Sequence, residues 1–285
     1  MRAEVSQGIE AIRREKIQGA GWLSREALKV LGLAAKVSRA QGRDEFLAEL
    51  KAVAQELAAA KPSMAPIANS VARLFYECVN SPESETSRLR EFAQRRALEL
   101  TTALEQAASR AAEQAASLIK EGDQVMTCSY SSVLLQALRK GLEEKSFEII
   151  IAESRVDEKY GELLAHELTS SGIQPQVIPD EEIERYASQA SRALTGADSV
   201  IADGTVINGS PSFRLARAVH QRGIPFYAVC ELNKFSPQSP RLERGFDEIP
   251  PALVSGVVTE VGLIRTDEVN RQVAEIRKHL QALWS

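Results

Sequence analysis

The 285-residue chain changes its pattern at Gly122, and that break constrains the fold more than any other feature. Before it, apolar residues recur every three or four positions over 4–16, 23–40, 43–60 and 66–79, the spacing that gathers them on one helix face. SPESETSRLREF then supplies a helix start, with Pro82 early and acids in the first turn. The pattern runs on through an alanine-rich stretch to Leu118 and Ile119, which predicts one long helix bridging to the second half. After Gly122, short apolar runs alternate with helical stretches. QVMTC, FEIIIAES, QPQVIP, a run within 192–202 and IPFYAVC read as strands; 131–144, 157–171, 181–190 and 211–222 read as helices. PPALVSGVVTEVG adds a strand and turn before a last helix near 267–283. Such β-α alternation predicts a mostly parallel sheet covered by helices on both faces. The expected class is α/β, with an all-helical domain over 1–120, connecting helix included, and a Rossmann-like domain over 121–285.

Bulk properties narrow the functions. A net charge of −4 argues against broad nucleic-acid binding, which needs a basic face. Arg88, Arg90, Arg95 and Arg96 alternate with glutamates and read as a solvated helix face. Cys78, Cys128 and Cys230 are far apart and form no C-x-x-C pair, so neither a zinc site nor a disulfide framework is indicated, and a reducing cytoplasm fits. His166, His220 and His279 sit in separate helical segments and read as surface residues. MRAEVSQGIE lacks the apolar core of a signal peptide, and no apolar run approaches the ~20 residues of a membrane span. No metal or cofactor is expected.

In folds of this class ligands bind outside the carboxyl ends of the strands. That rule selects five junctions: 127–132, 153–157, 179–181, 198–212 and 231–236. The first reads TCSYSS and opens the helix SVLLQALRK. Small hydroxyls at a helix N-terminus leave room for an anion and add donors, so Ser129, Ser131 and Ser132 cradle a phosphate or, alternatively, one of them caps the helix. Arg155, just after the buried strand, either grips a phosphate or pairs with Glu153 or Asp157. Asp198 lies beside small residues, Gly204 and Asn208-Gly209 read as a tight turn, and Lys234 follows the strand IPFYAVC. A cation, an asparagine, a carboxylate and a hydroxyl loop at one sheet edge suit a small phosphorylated polyol. The strand propensity of SVIADGT leaves Asp203 as a rival to Asp198.

The order TCSYSSVLLQAL, IIIAESRVDEKYGELLAHELTSSGI, GADSVIADGTVING and PFYAVCELNKFSP resembles the initiation factor 2B alpha/beta/delta family. That family includes ribose 1,5-bisphosphate and methylthioribose-1-phosphate isomerases. IQGAGWLSREAL and AAKPSMAPIANSV are similar to its two phosphate-contacting elements, and PPALVSGVVTEVG to its closing segment. The resemblance implies a helical domain before a Rossmann-like domain of the kind seen in the NagB/RpiA/CoA-transferase-like fold. It further implies a homodimer through the C-terminal domain or a higher oligomer, a translation-factor partner, and a ligand site between the domains. It places Gln18, Gly19, Ala20, Lys61, Asn208 and Lys234 among the ligand contacts. Its isomerases use a cysteine and an aspartate as the acid/base pair. Asp198 occupies the aspartate position, whereas the cysteine position falls on Ser129, with Cys128 one residue away. A thiol with pKa about 8.5 can be tuned into the working range; a serine hydroxyl is far too weak an acid. Gln18, Lys61 and Gly209 stand where the isomerases carry arginine, arginine and lysine. These departures point to a regulatory, non-catalytic binder of a phosphorylated sugar or nucleotide. The competing expectations are an intramolecular aldose–ketose isomerase, with Cys128 or a water in the cysteine's role, and an interaction protein that has lost its pocket.

Overall fold

The computed structural model describes residues 2–155, 159–240 and 242–285. Helices α1 (Ala3–Arg14), α2 (Ala20–Val37), α3 (Arg43–Ala58) and α4 (Ala65–Val79) pack around one apolar core. Leu23, Leu28 and Leu31 of α2, Phe46 and Leu57 of α3 and Ile67 and Leu74 of α4 are fully buried there. The next helix, α5 (Thr86–Leu118), has 33 residues and spans about 50 Å. One stripe runs its whole length and serves two cores. Leu89, Ala93, Ala97 and Leu100 join the helical bundle, while Ala108, Ala111, Ala112 and Ala115 lie in the sheet's core. Alanine at the second set lets the helix lie close to its neighbours.

Beyond α5 come β1 (Gln124–Cys128), α6 (Ser132–Glu144), β2 (Glu148–Ala152), α7 (Tyr160–Thr169), β3 (Gln176–Ile178), α8 (Ile183–Tyr186) and β4 (Arg192–Gly196). The chain continues through β5 (Ser199–Ile201), β6 (Val206–Gly209), α9 (Ser212–His220), β7 (Phe226–Val229), β8 (Phe235–Ser236) and β9 (Phe246–Ile249). It ends with β10 (Gly256–Thr259), β11 (Gly262–Ile264), α10 (Val269–Gln272) and α11 (Ala274–Trp284). Among the described residues the main sheet has the order β11-β10-β7-β4-β1-β2-β3, parallel except for β11. Strand alternation sends Val125, Ile149, Ile151 and Leu194 into the core shared with α5, α6 and α7. Met126, Cys128, Ile150 and Ala193 face the other core, with Ile183, Leu215 and Val269. The mostly parallel α/β class is as the sequence pattern requires.

Three local expectations are corrected. The run within 192–202 is two strands, not one: β4 stops at Gly196, and β5 enters a separate sheet of order β8-β5-β6-β9. Asn208-Gly209 is not a turn but the end of β6, opposite Asp247 and Phe246 of β9. The turn lies at Gly204, whose φ of 90° and N–H bond to the Ile201 carbonyl suit glycine. The helix expected over 181–190 shrinks to a 3-10 turn, Asp180–Glu182, followed by α8. Residues 156–158, including the Asp157 expected beside Arg155, lie outside the described residues.

The halves are joined by side-chain hydrogen bonds. Asn69 on α4 donates to the carbonyls of Asn233 and Phe235 at 2.7 and 2.8 Å, and Asn233 donates back to Pro66 O and Ser70 Oγ. Ser199 Oγ donates to Ser63 O and accepts from Ala65 N–H. The last helix, α11, returns to the bundle, with Leu283 in the helical core.

A candidate ligand cleft at the sheet's switch point

Strand order sets where a crevice opens. β1 continues through α6 to β2 on one side, and β4 leads to β7 on the other. Loops leaving β1 and β4 therefore diverge at their carboxyl ends, the place where ligands bind in open α/β sheets. Ser129 follows β1, and Asp198 follows β4. The helical half roofs the gap with residues 16–19, ahead of α2, and with Met64, ahead of α4. Ser154, Tyr160, Ser210, Arg244 and Phe246 complete the walls around a cavity of about 100 Å³.

Ser129 is held in an unusual conformation. Its φ is 63°, in the left-handed region, and Ser154 facing it has φ 59°. Ser129 N–H donates to Ser154 Oγ at 2.7 Å. The N–H groups of Ser154 and Arg155 in turn donate to the two oxygens of Asp180, at 2.8 and 3.0 Å. The Ser129 hydroxyl occupies space that only glycine allows next door: a Cβ on Gly209 would lie 2.6 Å from Ser129 Oγ. Ser131 caps α6, accepting from Leu134 N–H at 3.3 Å. Ser132 is exposed on that helix's first turn and is not part of the cleft wall.

Cys128 faces away from the cleft. Its Sγ is 3.3 Å from Ser212 Oγ, which donates to Gly209 O and accepts from Asn208 Nδ2 at 2.7 Å. With the serine's proton committed to the carbonyl, the thiol is the donor in the Cys128–Ser212 contact. Burial pushes this thiol up to about 12, so it stays protonated. Asn208 is thereby tied up beneath the cleft rather than opening into it.

Asp198 is half-buried on the cleft wall, and its side chain takes part in no hydrogen bond among the described residues. Burial raises its pKa above the ordinary carboxylate value, opposed by the positive charge of Lys234. Lys234 is itself buried, 3.7 Å from Glu231. Burial works against its charge, but Glu231 and then Asp198 outweigh this and raise its pKa. Asp203 sits in the turn before β6, accepting from Thr205 N–H at 2.9 Å, away from the cleft.

The structure thus gathers Gln18, Gly19, Ser129 and Asp198 on one wall system. Ala20 is buried as the first residue of α2. Arg155 is exposed and ion-paired with Glu153, and Lys61 is not on the cleft wall. Sequence reasoning passed over Lys16, Tyr160 and Arg244. A signal for Tyr160 was present in Tyr160-Gly161: a Cβ at Gly161 would lie 1.9 Å from Ala152 O, so glycine alone lets α7 start against the end of β2. Among the described residues no group of three metal-ligating side chains comes together.

A doubly wound sheet, a helical N-terminal half and a cleft between them at the switch point define the class. Within it, the chain belongs to the initiation factor 2 subunit family, whose model matches residues 16–244. It is 34% identical over 276 residues to a translation initiation factor eIF-2B subunit 2-like protein of Pyrococcus horikoshii, covering 90% of this chain and 94% of the relative. It is 30% identical over 231 residues to a ribose 1,5-bisphosphate isomerase of Haloterrigena turkmenica, covering 81% and 69%. A solved tetrameric eIF2B-β2-δ2 complex of C. thermophilum shares the fold, with TM-score 0.85, 22% identity and coverage of 96% and 94%.

Proposed function

We propose that this chain is an initiation factor 2B-like protein that binds a small phosphorylated sugar or nucleotide in the cleft and does not convert it. The observation that carries this reading is the tip of β1. The side chain on the cleft wall is the hydroxyl of Ser129, and the neighbouring thiol of Cys128 is buried and engaged with Ser212. A proton shuttle opposite Asp198 needs an acid whose pKa can be brought near neutrality; a serine hydroxyl and a thiol at about 12 both miss that range. Binding is supported by the N-terminus of α2, whose N-cap Gly19 lies on the cleft wall with no side-chain cap, near Lys16 and Arg244. A second reading, an aldose–ketose isomerase with Asp198 as base, is favoured by that residue's raised pKa on the cleft wall.

The test is calorimetry and thermal shift with pentose phosphates and nucleoside monophosphates, alongside an assay for ketose formation. Saturable binding without turnover is the expected result. Turnover that disappears in Asp198→Asn would overturn the binder reading and establish the isomerase.

The same proposal gives the protein a regulatory role, a translation-factor partner and a homodimer or larger assembly through the α/β half. Trp284, 57% exposed at the end of α11, lies on the helical half and supports an apolar contact between copies there, not the one through the α/β half. Light scattering across a concentration series distinguishes monomer, dimer and larger species. The net charge of −4 supports the absence of direct nucleic-acid contact. Among the described residues no helix is long and apolar enough to cross a membrane, which supports a cytoplasmic setting.

A further inference from the structure

We propose that two copies of this chain pair edge to edge along β11, with Leu263 of one copy opposite Leu263 of the other, so that the main sheet continues from copy to copy. The inference rests on the reading that copies meet through the α/β half, and it names the surface. Among the described residues, four strands lie at sheet edges: β3 and β11 in the main sheet, β8 and β9 in the small one. Edges are normally blunted by proline, by charge or by a covering element. Three of these four are blunted. β3 is bracketed by Pro175 and Pro179. β8 is two residues long and lies under α4, whose Asn69 donates to the Phe235 carbonyl. β9 carries Asp247 and Glu248. β11 reads Gly262-Leu263-Ile264, with neither proline nor charge.

The backbone shows which occupant fits this edge. The Val258 carbonyl is turned toward β7, where it accepts from Cys230 N–H at 3.0 Å. In the antiparallel pair Val258–Leu263, the N–H and C=O of Leu263 are therefore turned away from β10, to the open edge. The groups that would extend a ladder on either side are largely committed. Val261 N–H donates to Thr259 Oγ1 at 3.3 Å and Arg265 N–H to Glu268 Oε2 at 3.2 Å, while the Arg265 carbonyl accepts from Glu268 N–H. A peptide added as a strand draws on free groups at several alternate residues. One free residue instead closes a single ring of two hydrogen bonds with its own copy across a two-fold axis, and such a contact uses the same patch on both copies. The side chains agree with the backbone. Val261 and Leu263 are 65% and 50% exposed, and pairing the edges covers both. Leu263 shares with Val258 the sheet face that α5 packs on, and it leans over Gly256, where a Cβ would lie 2.7 Å from Leu263 Cδ1.

The experiment runs light scattering and sedimentation velocity on the full chain across a concentration series, for wild type, Leu263→Lys and Trp284→Ala, with a thermal melt of each. Wild type is expected to dimerise. Leu263→Lys sets two like charges opposite each other and should raise the dimer dissociation constant at least about tenfold, with its cooperative melt retained. Trp284→Ala should leave this dimer intact. A second measurement uses cysteine variants oxidised with oxidised glutathione. Hydrogen-bonded antiparallel neighbours lie about 5.5 Å apart at Cα, within reach of a disulfide, and the three native cysteines are buried. Leu263→Cys should run as a covalent dimer on a non-reducing gel, and Val261→Cys, away from the axis, should cross-link at least about fivefold less. A wild-type dimer that survives Leu263→Lys, or that gives no Leu263→Cys cross-link, overturns this proposal and leaves the α/β-half reading standing. Loss of the dimer in Trp284→Ala but not in Leu263→Lys moves the contact to the helical half and overturns both. A wild-type chain that stays monomeric up to about 100 μM also overturns both.

Discussion

The two halves of the molecule meet along two seams that are built differently. The seam along α4 is buried: Asn69 and Asn233 exchange hydrogen bonds across it, and Ser199 ties it to Ser63 and Ala65. At the mouth of the cleft, the seam is the exposed bond from Tyr160 to Lys16 O. Water competes with the second and not with the first. Removing a buried partner leaves an unpaired polar group; removing an exposed one leaves a hydrated group. The α4 seam is thus the fixed edge, and residues 16–19 are the part of the roof that is held less firmly. Ser199 and Asp198 are adjacent in sequence, yet one side chain belongs to the fixed seam and the other to the cleft.

The largest expected effect is at the fixed edge. Asn69→Ala strips hydrogen bonds from the carbonyls of Asn233 and Phe235 and should cost about 2–4 kcal/mol in urea unfolding. A loss below about 1 kcal/mol would break the contrast between the seams.

Ser129 sharpens the contrast from the cleft side. Its left-handed φ means that Ser129→Val should destabilise by about 1–2 kcal/mol, because a β-branched side chain crowds the backbone there. Ser129→Gly should stay within about 0.5 kcal/mol of wild type, since relief of strain and greater unfolded-chain freedom offset each other. If valine is tolerated as well as glycine, the left-handed turn does not hold in solution.

Why Asp198 and Ser129 could be found from sequence while Lys16 and Tyr160 could not is a question of range. β1, β2 and β7 are short apolar runs flanked by turn residues, so their ends, Ser129 among them, follow from local pattern; the end of β4 does not, and Asp198 was set above Asp203 by the family resemblance. Helix α5 was legible for the same reason, from an unbroken apolar stripe. The small sheet was not. β6 and β9 pair over a long sequence separation, Gly209 opposite Phe246, and Asn208-Gly209 carries turn-forming residues that tertiary pairing overrides. Lys61, Lys234 and Arg155 were expected at the ligand from their types and places. None of the three lines the cleft; Lys234 is paired with Glu231, and Arg155 takes the pairing with Glu153 that its sequence neighbours also allowed.

The pH dependence of Asp198 divides the seams by charge. Its folded pKa lies above the ordinary value of 3.8, with burial the largest cause. The folded state therefore prefers the protonated form. The favourable contribution is complete below the unfolded pKa and is lost as pH rises through the raised folded value. Asp198→Asn removes that loss. At pH 7 the variant should melt higher by about 2–4 °C, the change expected for roughly 1 kcal/mol. The difference should vanish near pH 3, roughly where both forms are neutral. A lower melting temperature at pH 7 would mean that the attraction of Lys234 outweighs burial.

Tyr160→Phe should have the smallest effect on the global fold and so tests the loose seam most directly. The lost bond is exposed, and the freed Lys16 carbonyl can take a water instead. The melting temperature should shift by no more than about 2 °C, corresponding to about 0.5 kcal/mol. Amide exchange at Lys16, Ile17 and Gln18 is the sensitive readout, because these N–H groups are protected by Glu15 only while the segment stays folded onto it. Tyr160→Phe should speed their exchange by about threefold to tenfold and leave the amides of α4 unchanged. Acceleration along α4 as well would show that the two seams open together, as one cooperative unit. No acceleration at either place would show that Glu15 alone holds the roof and that the tyrosine is a bystander at the cleft mouth.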